Sequence, residues 1–249
     1  MKSYVTLKIL DKVGYIEFFN PPHNALNPSL LNDLTSLIDS AAKEKKIHVI
    51  ILKSGGDRTF CAGASFDHMV DISDENQGKL FFMGFANVIN ALRKCPKIVI
   101  GCIQGKTVGG GVGLASAVDI CFASEFADIK LSELSIGIGP FVIEPAVRRK
   151  IGISAMSQLT LKAQTFFSAK WAMEKGLYAN VFESNDELLR NVESFAKELS
   201  TYNIDSLTAF KRIQWEGTDN WDKLLETRAM LSGKMLLSPN AKSFLKKFI

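Results

Sequence analysis

Gln104 to Glu133 reads QGKTVGGGVGLASAVDICFASEFADIKLSE. An apolar, strand-like segment, Lys97 to Ile103, runs towards Gly109-Gly110-Gly111, and the glycines open a short helix of small residues, Gly113 to Val118. Without a Cβ the backbone turns sharply and brings bare N–H groups close to a ligand. The first amides of the helix behind them are unpaired and carry a partial positive charge. A triple glycine also serves simply to pack a helix tightly on a sheet, so Glu133 at the end of the stretch gives the chemical reading its weight. A cradle for a negative oxygen beside an acid–base carboxylate suits a reaction that passes through an enolate.

Either side of this stretch, short strands alternate with helices. Val5 to Leu10 and Val13 to Phe19 form an expected hairpin about Asp11-Lys12. After the loop Asn20 to Asn24, Asn27-Pro28 starts a helix whose leucines recur at helical spacing to about Lys46. Val49 to Lys53 is apolar throughout, as in a strand covered on both faces, and Ser54 to Asp57 breaks it. Cys61 to Ser65 is crowded with small residues, and Ala64 is placed to offer an N–H at the front of a following turn. A polar stretch, Asp71 to Gly78, precedes an amphipathic segment from Leu80 to Leu92. Ile120 to Ala123 and Asp128 to Leu131 are further strands. From Gly139-Pro140 the pattern turns helical over Glu144 to Lys150, Ser154 to Ala163, Ser168 to Gly176 and Asp186 to Ser200, with Tyr178 to Phe182 a strand between them. Ser206 to Trp215, Asn220 to Leu237 and Asn240 to Ile249 close the chain as amphipathic segments. Their apolar residues, Leu224, Leu225, Met230, Leu231, Met235 and Leu236 among them, read as an oligomerisation layer. The expected fold is a layered α/β core with a helical appendage.

Composition sets the class. The chain has 249 residues, 47% hydrophobic and 22% charged, enough for one sizeable core. No apolar run reaches the roughly 20 residues of a membrane span, and Met1 to Tyr4 starts no secretion signal, so a cytoplasmic location is expected. A net charge of +4, spread along the chain, fits an acidic small ligand and not nucleic acid. The clusters Lys43 to Lys46 and Lys246-Lys247 read as solvated faces. Cys61, Cys95, Cys102 and Cys121 lack metal-ligand spacing and are expected as buried thiols, with no metal site.

Taken together, Phe60 to Ala64, Gly109 to Leu114, Asp119-Ile120 and Ser132 to Gly137 resemble the enoyl-CoA hydratase/isomerase (crotonase) family. Pro22 to Asn27 is similar to its Asn-Ala-Leu motif, Ser168 to Leu177 to a later helix, and Ala241 to Phe248 to its C-terminal CoA-contacting helix. The resemblance implies a spiral of ββα units over residues 1–195, a C-terminal helical trimerisation region over 196–249, and a homotrimer or dimer of trimers. It also implies acyl-CoA thioester substrates, with coenzyme A part of the substrate and no separate cofactor. The family pattern places the oxyanion amides on Ala64 and Gly110 and the proton-transfer carboxylate on Glu133. It sets coenzyme A around Cys61, Ala62 and Ala64, with Phe244 and Lys247 over the nucleotide. Met69, Gly109 and Phe141 are further candidate contacts.

One departure bears on the reaction. Hydratases of the family carry two glutamates, and the first falls here on Gly113. A lone carboxylate suits a Δ3,Δ2-enoyl-CoA isomerase, because one base takes and returns the proton without water. The longer likeness through Ser132 to Pro145 is instead to bacterial methylglutaconyl-CoA and other branched enoyl-CoA hydratases, which favours a hydratase of short or branched 2-enoyl-CoA. A non-catalytic acyl-CoA binding protein is the third reading. Glu144 reads as an exposed helix start or an extra carboxylate near the acyl pocket, and Asp67 and His68 as surface groups.

Overall fold

The structure, a computed structural model, describes residues 2–248. Met1, and Ile249 at the end of the last expected helix, lie outside the described residues.

The chain opens with a hairpin, β1 (Tyr4–Leu10) and β2 (Val13–Phe19), closed by Asp11 and Lys12, both at positive φ. Two central residues at positive φ make the turn whose twist matches that of the flanking strands. α1 (Pro28–Lys43) follows, capped by the Asn27 side chain and burying Leu30, Leu31, Leu34 and Ile38 on one face. Three repeats then share one plan. β3 (Val49–Ser54) and β4 (Thr59–Cys61) lead to α2 (Phe66–Val70) and α3 (Glu75–Lys94). β5 (Ile98–Ile103) and β6 (Lys106–Val108) lead to α4 (Gly110–Ala117), and β7 (Ile120–Ser124) and β8 (Ile129–Lys130) lead to a 3-10 turn at Glu133–Ile136 and α5 (Glu144–Leu161). The remainder is α6 (Ala169–Glu174), β9 (Asn180–Phe182), α7 (Asn185–Leu199), α8 (Ile204–Gln214), α9 (Trp221–Leu236) and α10 (Pro239–Leu245).

Each repeat contributes its first strand to one sheet and its second to another. The large sheet has the order β1-β2-β3-β5-β7-β9, parallel after the first hairpin, and the small sheet is β4-β6-β8, parallel throughout. This is the expected stacking of ββα units. The core strands β3 and β5 are buried almost end to end, as parallel strands covered on both faces must be.

Several boundaries differ from the sequence reading. β4 and β6 have three residues each, too few for a periodic signal, and were not expected. α3 begins at Glu75 inside the polar stretch, where Asp74 caps it by accepting from Gln77 N–H at 2.8 Å. α5 joins two expected helices across Gly152, whose φ of +75 kinks the chain. The division expected at 195/196 passes through α7.

The C-terminal helices are tied to the core of their own chain. α9 lies along α3, and at their crossing a Cβ on Gly78 would stand 2.6 Å from Gly233 Cα, so the two backbones touch. Leu225, Ala229 and Leu236 are buried there, while Met230 and Leu231 stay exposed. α8 is held by Lys211, whose ammonium reaches Asp119 Oδ2 at 2.7 Å and donates to the carbonyls of Leu92 and Lys97, each at 2.9 Å. Trp215 Nε1–H donates to the other oxygen of Asp119 at 3.0 Å. A buried charge is tolerable only with such complete pairing.

Candidate active site

The small sheet builds the site. Its three strands are parallel, so all their C-terminal ends point one way, and the chain continues from each into one of the residues singled out by sequence. β4 runs into Ala62-Gly63-Ala64, β6 into Gly109-Gly110 and β8 into Ser132-Glu133. Neighbouring strands lie about 4.8 Å apart. Residues separated by 69 positions therefore emerge side by side, with Gly110 in the middle.

Two glycines allow the loops to close on one another. Gly63, at φ +86, sits so that a Cβ would be 3.0 Å from Val108 O and 3.4 Å from Gly110 N, which sets the Ala64 loop against the Gly110 amide. Gly109, at φ +53, leaves room for Glu133, whose Oε1 would be 2.9 Å from an added Cβ. A second loop holds the first. Leu26 N–H donates to Gly63 O at 2.7 Å and Ser65 N–H donates to Leu26 O at 3.0 Å, skipping Ala64 between them. Asn24 anchors that second loop: it is buried, and its amide donates to Gly55 O and Thr59 O, each at 2.8 Å. Gly109 N–H donates to Lys130 O at 2.9 Å, but the amides of Ala64 and Gly110 have no acceptor among the described residues. The Gly110 amide opens α4 and the Ala64 amide lies on the loop packed against it, so both donors are left for an acceptor from outside the chain.

Glu133 faces the same space. The residue keeps some solvent contact, yet Oε2 is sealed from solvent and has no hydrogen-bond partner. Burial pushes its carboxyl up from an ordinary 4.5 to about 7, with its own backbone amide opposing weakly. A carboxyl of that affinity exchanges protons in both directions near neutrality. It lies in a cavity of about 50 Å³ walled by Met69, Phe82, Phe85, Ile138, Phe141 and Ile143. The polar side chains on the wall are Glu133, Ser132 and Ser232. Among the described residues no group of three His, Cys, Asp or Glu is spaced to hold a metal ion.

Of the residues expected from sequence, Ala62, Ala64, Met69, Gly109, Gly110, Glu133 and Phe141 line this cavity. Cys61 does not. Its side chain is buried behind the loop against Gly111, where an added Cβ would meet Cys61 Cβ at 2.7 Å, and its thiol is pushed up to about 12 by burial. Phe244 and Lys247 are also off the wall: the Phe244 ring packs edge-on against Phe66 at 6.4 Å, and the exposed Lys247 ammonium lies 5.8 Å from that ring. Asp67 and His68 are exposed, His68 Nδ1 sharing a hydrogen bond with Ser65 Oγ at 3.1 Å.

The Gly113 position is closed. A Cβ there would be 2.4 Å from Ile143 Cγ2 and 2.7 Å from Ile143 Cβ, so Ile143 fills the space a side chain would need. Glu144, next in sequence, is neither exposed nor on the cavity wall. Its Oε1 pairs with Arg148 at 2.7 Å, and its Oε2, 3.9 Å from Arg228, is buried without a hydrogen bond. Sequence reading missed Ser232, Phe82, Phe85 and Ile143, which reach the wall only because α3, α9 and the start of α5 pack on it. The glycine at 110 carried a trace of one of them, since only glycine admits the Phe85 ring, 2.2 Å from a Cβ built there.

Comparison with known proteins identifies the family and the fold. The family model described as "Enoyl-CoA hydratase/isomerase" matches residues 8–247. A "Probable enoyl-CoA hydratase" of Bacillus subtilis is 25% identical over 247 residues, covering 98% of this chain and 95% of that protein. The mitochondrial methylglutaconyl-CoA hydratase of Homo sapiens is 32% identical over 165 residues, 66% of this chain and 48% of that one. Among solved structures, an enoyl-CoA hydratase from Bacillus halodurans superposes with a TM-score of 0.89 over 98% of this chain and 100% of its own, at 23% identity, a likeness of fold.

Proposed function

Because the chain belongs to the enoyl-CoA hydratase/isomerase family, we propose that the Ala64 and Gly110 amides hold the carbonyl oxygen of an acyl-CoA thioester while Glu133 alone moves protons along the adjoining carbon chain. The net reaction is migration of a double bond from the 3,4 to the 2,3 position. Glu133 carboxylate takes a proton from the α-carbon, and the electron pair spreads through the diene to the thioester oxygen. The two amides stabilise that charge, worth roughly 3 to 4 kcal/mol per donor in comparable holes. The same carboxyl then returns the proton to the γ-carbon, the charge leaves the oxygen, and no water is consumed. Coenzyme A enters as part of the substrate along the edge marked by Ala62, Ala64 and Phe66, with Phe244 and Lys247 beside its nucleotide.

The observation that carries this reading is the packing of Ile143 over Gly113, which leaves one carboxylate where two-glutamate chemistry needs a second acid. Hydration of a short or branched 2-enoyl-CoA is the second reading, favoured by the names of the relatives; Glu133 would then have to activate water and exchange the α-proton by itself. The exposed apolar residues Phe210 and Ile213 on α8, with Met230 and Leu231 on α9, support a homotrimer or dimer of trimers.

Turnover in H2(18)O separates these readings. The protein should convert 3-pentenoyl-CoA to the 2-enoyl isomer without taking up the label, and act on crotonyl-CoA at least tenfold more slowly. Faster, label-incorporating addition to crotonyl-CoA would establish hydration in its place. Binding of both esters with no turnover of either would leave only a non-catalytic acyl-CoA binding protein.

A further inference from the structure

The cavity has an open and a closed end. Ala64 and Phe66 keep partial exposure at the mouth, whereas Phe82, Ile143 and Ser232 are buried, Ser232 to 1% exposure. Ser232 comes from α9, brought to the wall by the backbone contact of Gly78 with its neighbour Gly233. A serine inside a helix commonly satisfies its hydroxyl on the carbonyl four residues back. Ser116 does so, donating to Val112 O at 2.7 Å. Ser232 does not: its hydroxyl has no partner among the described residues, although the wall around it is otherwise apolar. The hydroxyl is therefore left to water or to a polar group of a ligand in the cavity.

The charge around this end is equally specific. Among the described residues no Lys, Arg or His side chain lines the cavity. Arg228, one helical turn from Ser232, faces Glu144 Oε2 at 3.9 Å, and Arg148 holds Oε1 at 2.7 Å, so the neighbouring cations are matched by Glu144. An acyl carboxylate driven into this end would lose its water, find no counter-charge, and share the cavity with Glu133.

We propose that the closed end is a neutral polar subsite, in which the Ser232 hydroxyl receives one uncharged hydrogen-bonding group of the acyl chain and from which acyl chains ending in a carboxylate are rejected. The assignment rests on the thioester reading above, and it points away from dicarboxylic acyl groups such as methylglutaconyl.

Titration calorimetry of the full chain with unreactive saturated esters tests it independently of turnover. Pentanoyl-CoA, glutaryl-CoA and glutaramoyl-CoA share a five-carbon acyl chain that ends in a methyl, a carboxylate and a neutral amide. The native protein should bind glutaryl-CoA at least tenfold more weakly than pentanoyl-CoA and glutaramoyl-CoA at least as tightly. In Ser232→Ala the glutaramoyl-to-pentanoyl affinity ratio should fall about fivefold, the effect of one net hydrogen bond. Ser232→Cys serves if the alanine variant does not fold. Glutaryl-CoA less than tenfold weaker than pentanoyl-CoA, or an unchanged ratio in the variant, overturns the subsite. Failure of pentanoyl-CoA itself to bind overturns the thioester reading and the subsite with it.

Discussion

Glu133→Gln removes a charge and keeps the shape, and it should separate stability from catalysis. Burial holds the carboxyl at about 7 where an unfolded chain would hold it near 4.5. The folded state therefore favours the protonated form. Keeping the group charged costs nothing below pH 4.5, progressively more up to pH 7, and the full amount above. At about 1.4 kcal/mol per pH unit the gap amounts to roughly 3 kcal/mol. Glutamine is neutral at every pH, so the variant should be more stable than the native protein by roughly 3 kcal/mol at pH 8 and by under about 1 kcal/mol at pH 5. Turnover should fall by roughly 10²–10⁴ over the same range. The native kcat/KM should rise with pH through an apparent value near 7 as the base is freed. Urea unfolding of both proteins at pH 5, 6, 7 and 8, with rates on a 3-enoyl-CoA, makes the comparison. A stability difference that is the same at pH 5 and pH 8 would refute the claim that the carboxyl is desolvated, and native-like rates would remove it from the mechanism.

Three further outcomes follow from the packing. Gly113→Glu should destabilise by about 1–3 kcal/mol by overpacking against Ile143, whereas the pair Gly113→Glu with Ile143→Ala should recover stability and add hydration of crotonyl-CoA, measured by thermal melts and product analysis. Asn24→Ala removes the donor to Gly55 O and Thr59 O; unfolding should show a loss of about 2–3 kcal/mol, and kcat should drop more than CoA-ester affinity as the Ala64 amide loosens. Lys211→Met takes the counter-charge from Asp119 and leaves it only the Trp215 and Val99 N–H donors, so a loss of about 3–5 kcal/mol is expected in denaturant titrations, and a change under 1 kcal/mol would show that α8 is held by other contacts.

Much of this was legible in the chain. Continuous apolar runs marked β3 and β5, the leucine spacing marked α1, and the glycine run with Glu133 marked the chemistry, because each of these signals is local. The exclusion of a second acid was legible only as Gly113, an absence whose meaning depended on a distant side chain. The supporting wall was not legible at all. Ser232 and Phe82 lie in ordinary amphipathic helices, and nothing in their own segments says that α9 crosses α3 at Gly78 and Gly233.

The sequence by itself picked out the residues that the proposed reaction uses: bare amides where glycine and alanine leave the backbone open, and one carboxylate in an apolar setting. Only the tertiary structure decided that they meet, through three strands of two or three residues whose parallel pairing aims Ala64, Gly110 and Glu133 from one edge. Strands that short are made by their neighbours and not by their own side chains, since their hydrogen bonds run between segments far apart in sequence. The same long-range packing seals Glu133 from water, and with it sets the proton affinity on which the chemistry turns.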